Sequence, residues 1–211
     1  MGAQTVRLDG TPGILGAACV AGRKEGAGPL GASCDFIYDD TSLGGSSWEK
    51  AESLMQKEAL QRAAAKSNVS PNEIEFIFAG DLLNQCIGTT FGLVEFARPF
   101  YGLYGACSTM AESLSLAAMM IDGGFAARAA AITSSHFCSA ERQYRLPLEY
   151  GGQRAPTAQW TVTGAGAVIL AQDSPGPYIT HVTTGVMVDA GIKDANNMGA
   201  AMAPEDGIID P

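Results

Sequence analysis

Positive charge is scarce in this chain: Lys and Arg number 13 against 22 Asp and Glu, for a net charge of −9 and a pI near 4.6. No run of basic residues occurs. A nucleic-acid binder needs a basic face to meet phosphates, so DNA and RNA are set aside as partners. Histidine is scarcer still, with only His136 and His181 available for acid–base work. The five cysteines (Cys19, Cys34, Cys86, Cys107, Cys138) are odd in number and include no CxxC, which argues against a disulfide framework or a structural zinc site and for a reducing compartment. No signal-peptide apolar region follows the basic Arg7, and the most apolar stretch, Leu114 to Ile121, is far short of the ~20 residues that span a bilayer. The expectation is a protein that reaches a membrane only through partners.

What is present is globular: 46% hydrophobic residues, 17% charged, and 26 glycines that imply many tight turns. Ile14 to Val20 reads as a first strand, followed by an extended surface loop over 22–40. Ser46-Ser47-Trp48-Glu49 has the form of a capping box, with the Ser46 hydroxyl taking a helix N–H and Glu49 reaching back. It opens a helix whose apolar positions are Trp48, Ala51, Leu54, Met55, Ala59 and Ala63, running to about Lys66. Ser70-Pro71-Asn72-Glu73 repeats the cap signal before a strand over Ile74–Ala79. A helical pattern over 86–97 ends at Pro99, and Phe100–Tyr104 is the next strand. A helix from Cys107 to Asp122, with Glu112 its only charge before the last residue, is expected to be buried nearly all round, with Gly123-Gly124 as its C-terminal cap. Ala129–Ser134, 157–171 and 178–188 complete the strands. This alternation is an α/β fold with a mostly parallel sheet and an antiparallel edge strand.

In such sheets ligands collect at the carboxyl ends of strands. Three unusually polar segments sit there: 80–85 with Asp81, Asn84 and Gln85; 105–108 with Cys107; and Ser134-Ser135-His136. Cys107 opens a helix whose N-terminus favours a thiolate, so it is either a nucleophile or a small buried apolar residue. The other four cysteines read as buried apolar residues. His136 is either an acid/base or ligand contact or an internally satisfied polar residue, and His181 reads as an ordinary strand residue. Asp81 either meets a cation or caps the next helix. Arg142 or Arg145, in the charge-dense run 141–150, either clamps a carboxylate by bidentate hydrogen bonds or belongs to a solvated loop of local ion pairs. Gly164-Ala165-Gly166 lacks the third glycine of a dinucleotide fingerprint, and its small residues suit close packing.

Phe78 to Gln85, Tyr104 to Thr109, Thr133-Ser134-Ser135-His136, Ala140 to Gln143, Glu149 to Gln153, Thr161 to Val168, Asn197-Met198-Gly199 and Ala201 to Pro204 closely resemble the stage V sporulation protein AD family of endospore-forming bacteria. That resemblance implies a thiolase-like fold. Its N-terminal half would be a mostly parallel five-stranded sheet with an antiparallel edge strand and a buried central helix. Residues 1–175 would form this half, and residues 176–211 the start of the link to a missing second half, with 205–211 drifting from the family pattern. Cys107 falls where the ketoacyl synthases keep their nucleophile, while their catalytic histidines come from the second half; the expectation is therefore no enzyme activity. The resemblance implies binding of dipicolinic acid and its calcium chelate, with other stage V sporulation proteins as partners, peripherally at the cytoplasmic face of the spore inner membrane in the forespore. Calcium would enter only within that chelate, and no other cofactor is implied. A homodimer is expected. Asp81, Asn84, Gln85, Cys107, Ser134, Ser135, His136 and Arg142 are the expected ligand-binding residues, with Asp81 toward the calcium. The alternatives are a condensing-type acyl-transfer enzyme using Cys107 and a truncated fragment with only an interaction role.

Overall fold

The computed structural model describes residues 2–144, 160–186, 189, 191 and 193. The element order is β1 (Thr5–Arg7), β2 (Gly13–Gly22), the short α1 (Arg23–Gly26), β3 (Phe36–Tyr38), α2 (Trp48–Lys66), β4 (Phe76–Gly80), α3 (Ile87–Leu93), β5 (Phe100–Gly102), α4 (Thr109–Asp122), β6 (Arg128–Ser135), α5 (Phe137–Tyr144), β7 (Gly164–Ala171) and β8 (His181–Thr183). Six strands form one sheet in the order β3-β2-β7-β6-β4-β5, and β1 pairs with β8 in a separate antiparallel ribbon.

The α/β class and the mostly parallel sheet are as expected from sequence. Two details differ. The main sheet has six strands, because the three-residue β3 forms inside the segment read as loop and pairs with β2, Val20 opposite Phe36. The antiparallel strand is also not at the edge. β7 lies between β2 and β6 and hydrogen-bonds to both, Ala18 facing Ala167 and Ile132 facing the same Ala167. Helix layers cover both faces of the sheet at this strand, Ala167 and Ile169 on the α2 side and Val168 and Leu170 on the α4 side, so it is apolar on both. Gly164-Ala165-Gly166-Ala167-Val168-Ile169-Leu170-Ala171 is so throughout, without the polar alternation of an exposed edge.

The layers follow from the period-two alternation of buried strands. In β6, Ala130 and Ile132 pack with Ile77, Ile169, Met55 and Leu60 on the α2 side. Ala129 and Ala131 pack with Phe78, Leu170, Ala117 and Ile121 on the α4 side. Three successive alanines in a strand have poor strand propensity, but they let helices sit close on both faces. α2 starts one residue later than its sequence signal implies: the cap is Ser47, whose Oγ accepts the Lys50 N–H at 3.2 Å. The Ser70 cap is as read, with Glu73 Oε2 accepting the Ser70 N–H at 2.8 Å, but it opens only a 3-10 turn. α4 is buried on one side rather than all round. Thr109, Ser113, Ala117, Ala118 and Ile121 are covered by the sheet, whereas Ala111 and Met119 are exposed.

Candidate functional site

β2, β4, β5 and β6 run the same way, so their carboxyl ends share one edge of the sheet, where antiparallel β7 begins. An open cavity of about 800 Å³ lies there. Its walls come from Cys19, Val20 and Ala21 of β2, Thr133, Ser134 and Ser135 of β6, the start of β7, Leu82 after β4, and Ala106 and Cys107 before α4. Glu25, Leu30, Ser33, Cys34 and the segment 160–162 close the other side. Gly166 fits the close-packing reading: a Cβ there would meet Met110 of α4 at 3.4 Å.

Of the eight expected site residues, the structure brings Cys107, Ser134 and Ser135 to this cavity. Cys107 is exposed, in the 3-10 turn that leads into α4. Ser135 Oγ donates to the Val162 carbonyl at 2.6 Å, tying β6 to the opposite wall. Asn84 and Gln85 are exposed on a 3-10 turn and are not among the cavity-lining residues. Asp81 takes the capping alternative. Its Oδ1 accepts the Leu83 N–H at 2.7 Å, and its Oδ2 accepts the Thr89 N–H at 2.7 Å and hydroxyl at 2.6 Å. Each oxygen thus has a donor already, and Asp81 is not among the cavity-lining residues.

His136 is satisfied internally. Its Nε2 donates to the Thr41 carbonyl at 2.9 Å and its Nδ1 accepts the Cys138 N–H at 3.2 Å, which fixes the Nε2–H tautomer. The ring stacks on Trp48 at 5.3 Å, and burial holds its pKa below the usual histidine value. The Arg142 side chain lies outside the described residues, as does Arg145. Within the charge-dense run, Glu141 is buried and Oε1 accepts the Thr161 hydroxyl at 3.2 Å.

Sequence reasoning missed the polar centre behind the cavity. Glu52 of α2 is fully buried, and its described hydrogen-bond partners are Ser134 Oγ at 2.9 Å and Ser139 Oγ at 2.9 Å. Gln56, one helical turn on, gives its two Nε2 hydrogens to Ser134 Oγ and Thr89 Oγ1, both at 2.8 Å. Those hydroxyls in turn donate to Glu52 and Asp81. One amide therefore polarises two hydroxyls, each aimed at a buried carboxylate, and no cation bonds to either among the described residues. Gln56 Oε1 has no partner there. Burial, reinforced by the Asp81 charge, pushes the Glu52 carboxyl up to about 7. The sequence signal was faint: Glu52, Gln56, Ala59, Leu60 and Ala63 mark one buried stripe at helical spacing, with polar residues only at its upper end.

Charge in the cavity wall is confined to Glu25 among the described lining residues. Its Oε1 accepts the Thr163 N–H at 3.1 Å, and its buried Oε2 has no partner among the described residues. Trp160 offers an aromatic face, with Phe137 at 4.7 Å and Lys24 Nζ 3.2 Å over its ring. Hydroxyls, an aromatic plane, one carboxylate and an accessible thiol can hold a flat aromatic ligand, coordinate a hard cation, or accept an acyl group.

The model for the family described as stage V sporulation protein AD matches residues 2–208. A stage V sporulation protein AD from Bacillus subtilis strain 168 is 44% identical over 191 residues, covering 90% of this chain. The chain spans 56% of that relative's length. Among solved structures, 3-oxoacyl-[acyl-carrier-protein] synthase III from Aquifex aeolicus VF5 has a TM-score of 0.52 at 15% identity, over 76% of this chain and 53% of that one. A variant of OleA from Xanthomonas campestris also gives 0.52 at 15% identity, over 85% and 61%. These likenesses establish the condensing-enzyme, thiolase-like fold.

Proposed function

Because this chain belongs to the stage V sporulation protein AD family, and so to a family of sporulation proteins, we propose that its cavity binds dipicolinic acid as the calcium chelate destined for the developing spore. The carrying observation is the cavity's charge. Glu25 is the one charged side chain among the described lining residues, which disfavours a bare aromatic dianion and suits a neutral calcium complex whose metal takes oxygen ligands. Ser135 and Thr161 line the wall with hydroxyl oxygens that can still accept or ligate, and Trp160 lines it with an indole edge beside Lys24. Glu25 thus takes the place toward calcium expected of Asp81. The two histidines support a binding role over catalysis. His136 is engaged at both nitrogens, His181 lies in the separate ribbon, and neither lines the cavity with Cys107. A thiol without a base lacks the usual activation. No helix among the described residues is long and apolar enough to cross a membrane, and we place the protein peripherally at the forespore face of the spore inner membrane, with other stage V sporulation proteins and a second copy of itself as partners.

Calorimetric titration with dipicolinate tests this. Saturable binding is expected with calcium, weakening at least roughly tenfold without it. Glu25→Gln should remove most of the calcium dependence. A folded protein that gives no saturable heat, or a Glu25→Gln variant of unchanged affinity, overturns the proposal. The exposure of Cys107 within the cavity favours a second reading, acyl transfer. It predicts covalent labelling of Cys107 by an acyl-thioester, lost in Cys107→Ser.

A further inference from the structure

The cavity wall holds two more thiols, and they touch. Cys19 Sγ lies 3.4 Å from Cys34 Sγ. Their main chains are clamped as neighbouring strands: the Asp35 N–H donates to the Cys19 carbonyl at 2.9 Å, and the Cys19 N–H donates to Asp35 Oδ2 at 2.8 Å. β2 and β3 continue this pairing from Val20 opposite Phe36. The register sets Cys19 opposite Asp35, so Cys34 is its diagonal neighbour; a strand spacing of about 4.8 Å with a one-residue offset of about 3.3 Å keeps such a pair inside the range of Cα separations that a disulfide bridges. The sulfurs need to approach by roughly 1.4 Å to reach bonding distance, which side-chain rotation supplies without breaking the backbone pairing. Both residues are partly exposed and both line the cavity, so a small reagent can reach them. Among the described residues no other pair of cysteines is recorded in contact; the buried Cys86 thiol donates instead to the Leu103 carbonyl at 3.4 Å.

We propose that Cys19 and Cys34 are a reversible dithiol–disulfide pair, oxidised by low-molecular-weight disulfides, that staples the segment carrying Leu30, Ser33 and Cys34 onto β2. The exchange balances without any other oxidant. One cysteine, as its thiolate, attacks glutathione disulfide and releases one glutathione. The second attacks the protein sulfur of that mixed disulfide and releases the other. Two electrons and two protons pass from the dithiol to the two glutathione thiols, and one S–S bond is broken as one is formed. Burial and the neighbouring Cys34 push the Cys19 thiol up to about 11, which lowers its thiolate fraction at neutral pH and slows attack by Cys19 itself.

The test equilibrates the folded protein in glutathione buffers from fully reduced to fully oxidised, quenches with acid, alkylates, and maps peptides by mass spectrometry without reduction. The expected product is one linkage, Cys19 to Cys34, lighter by two hydrogens than the dithiol and reversed by reduced glutathione. Cys86 and Cys138 should be alkylated, and the exposed Cys107 either alkylated or carrying a single glutathione, with none of the three linked to another cysteine. Cys34→Ser should abolish the linkage and Cys107→Ser should leave it unchanged; if Cys34→Ser does not fold, the wild-type map with the Cys107→Ser control decides. Five alkylated thiols in fully oxidised buffer overturn the proposal. So does a glutathione adduct on either cysteine that never closes, or a linkage through Cys107.

Discussion

At the scale of single residues, Glu52 carries the clearest consequence. It is an acid whose folded pKa, about 7, lies above its ordinary 4.5. Between those values the native state holds a proton that the unfolded state has lost, so stability falls as pH rises. Its contribution is fully present below pH 4.5 and gone by about pH 7, a difference of roughly 3 kcal/mol. Denaturant unfolding at pH 5 and pH 8 should show wild type losing this amount relative to Glu52→Gln; equal pH dependence in the two proteins would refute it. His136 makes the opposite kind of prediction. Removing its Thr41 hydrogen bond and its Trp48 stacking in His136→Ala should cost about 2 kcal/mol and lower the melting temperature by roughly 5 °C. Calorimetry should find ligand affinity unchanged, since both ring nitrogens face the protein. The role of Glu52 was not readable in sequence, and for His136 the sequence left the internally satisfied reading open beside ligand contact. Periodicity assigns a face to a side chain, but not whether a buried carboxyl or imidazole finds its partners there.

At the scale of elements, the strand ends are held by close backbone approach. A Cβ on Gly80 would lie 2.2 Å from the Leu103 carbonyl oxygen, so Gly80→Ala must push β4 away from the loop after β5. The expected loss is about 3 kcal/mol or more, and differential scanning calorimetry measures it directly. The sequence placed this element well. Strands read at 14–20, 74–79, 100–104 and 129–134 appear at Gly13–Gly22, Phe76–Gly80, Phe100–Gly102 and Arg128–Ser135, and the long helix runs over Trp48–Lys66 as expected. These segments carry their own signals of caps, breakers and unbroken apolar runs. β3 has none, since Phe36-Ile37-Tyr38 becomes a strand only because β2 lies alongside. The position of β7 inside the sheet was equally hidden. Its direction follows from short local signals, whereas its neighbours are chosen by tertiary packing. The same limit applies to the site: three polar strand ends were found, but not which of their side chains turn inward to cap and which outward to the cavity.

At the scale of the whole molecule, the sheet ends in an edge that no other described strand covers. β5 is the last strand in the order, with Tyr101 half exposed and Phe100 beside it, and Phe91, Val94 and Phe125 are also uncovered. An exposed edge strand bearing aromatics invites pairing with another chain. Sedimentation velocity should find the protein associated at micromolar concentration, and Tyr101→Lys should weaken that association at least roughly tenfold. A monomer at all concentrations would contradict the expected homodimer.

The central position of β7 also sets an order in time. β2 finds its long partner only when β7 exists, Ala18 waiting for Ala167. At roughly 5–20 residues per second, a ribosome delivers β7 on the order of ten seconds after β2. Until then the nascent chain can assemble two separate fragments, β3-β2 and β6-β4-β5, but not the sheet that joins them. Such distant pairing makes for slow folding, and it leaves an apolar strand unprotected until β7 emerges. The strand that joins the two halves of the main sheet is thus the last of its six to arrive, and the protein's exposure to misassembly is decided before its cavity exists.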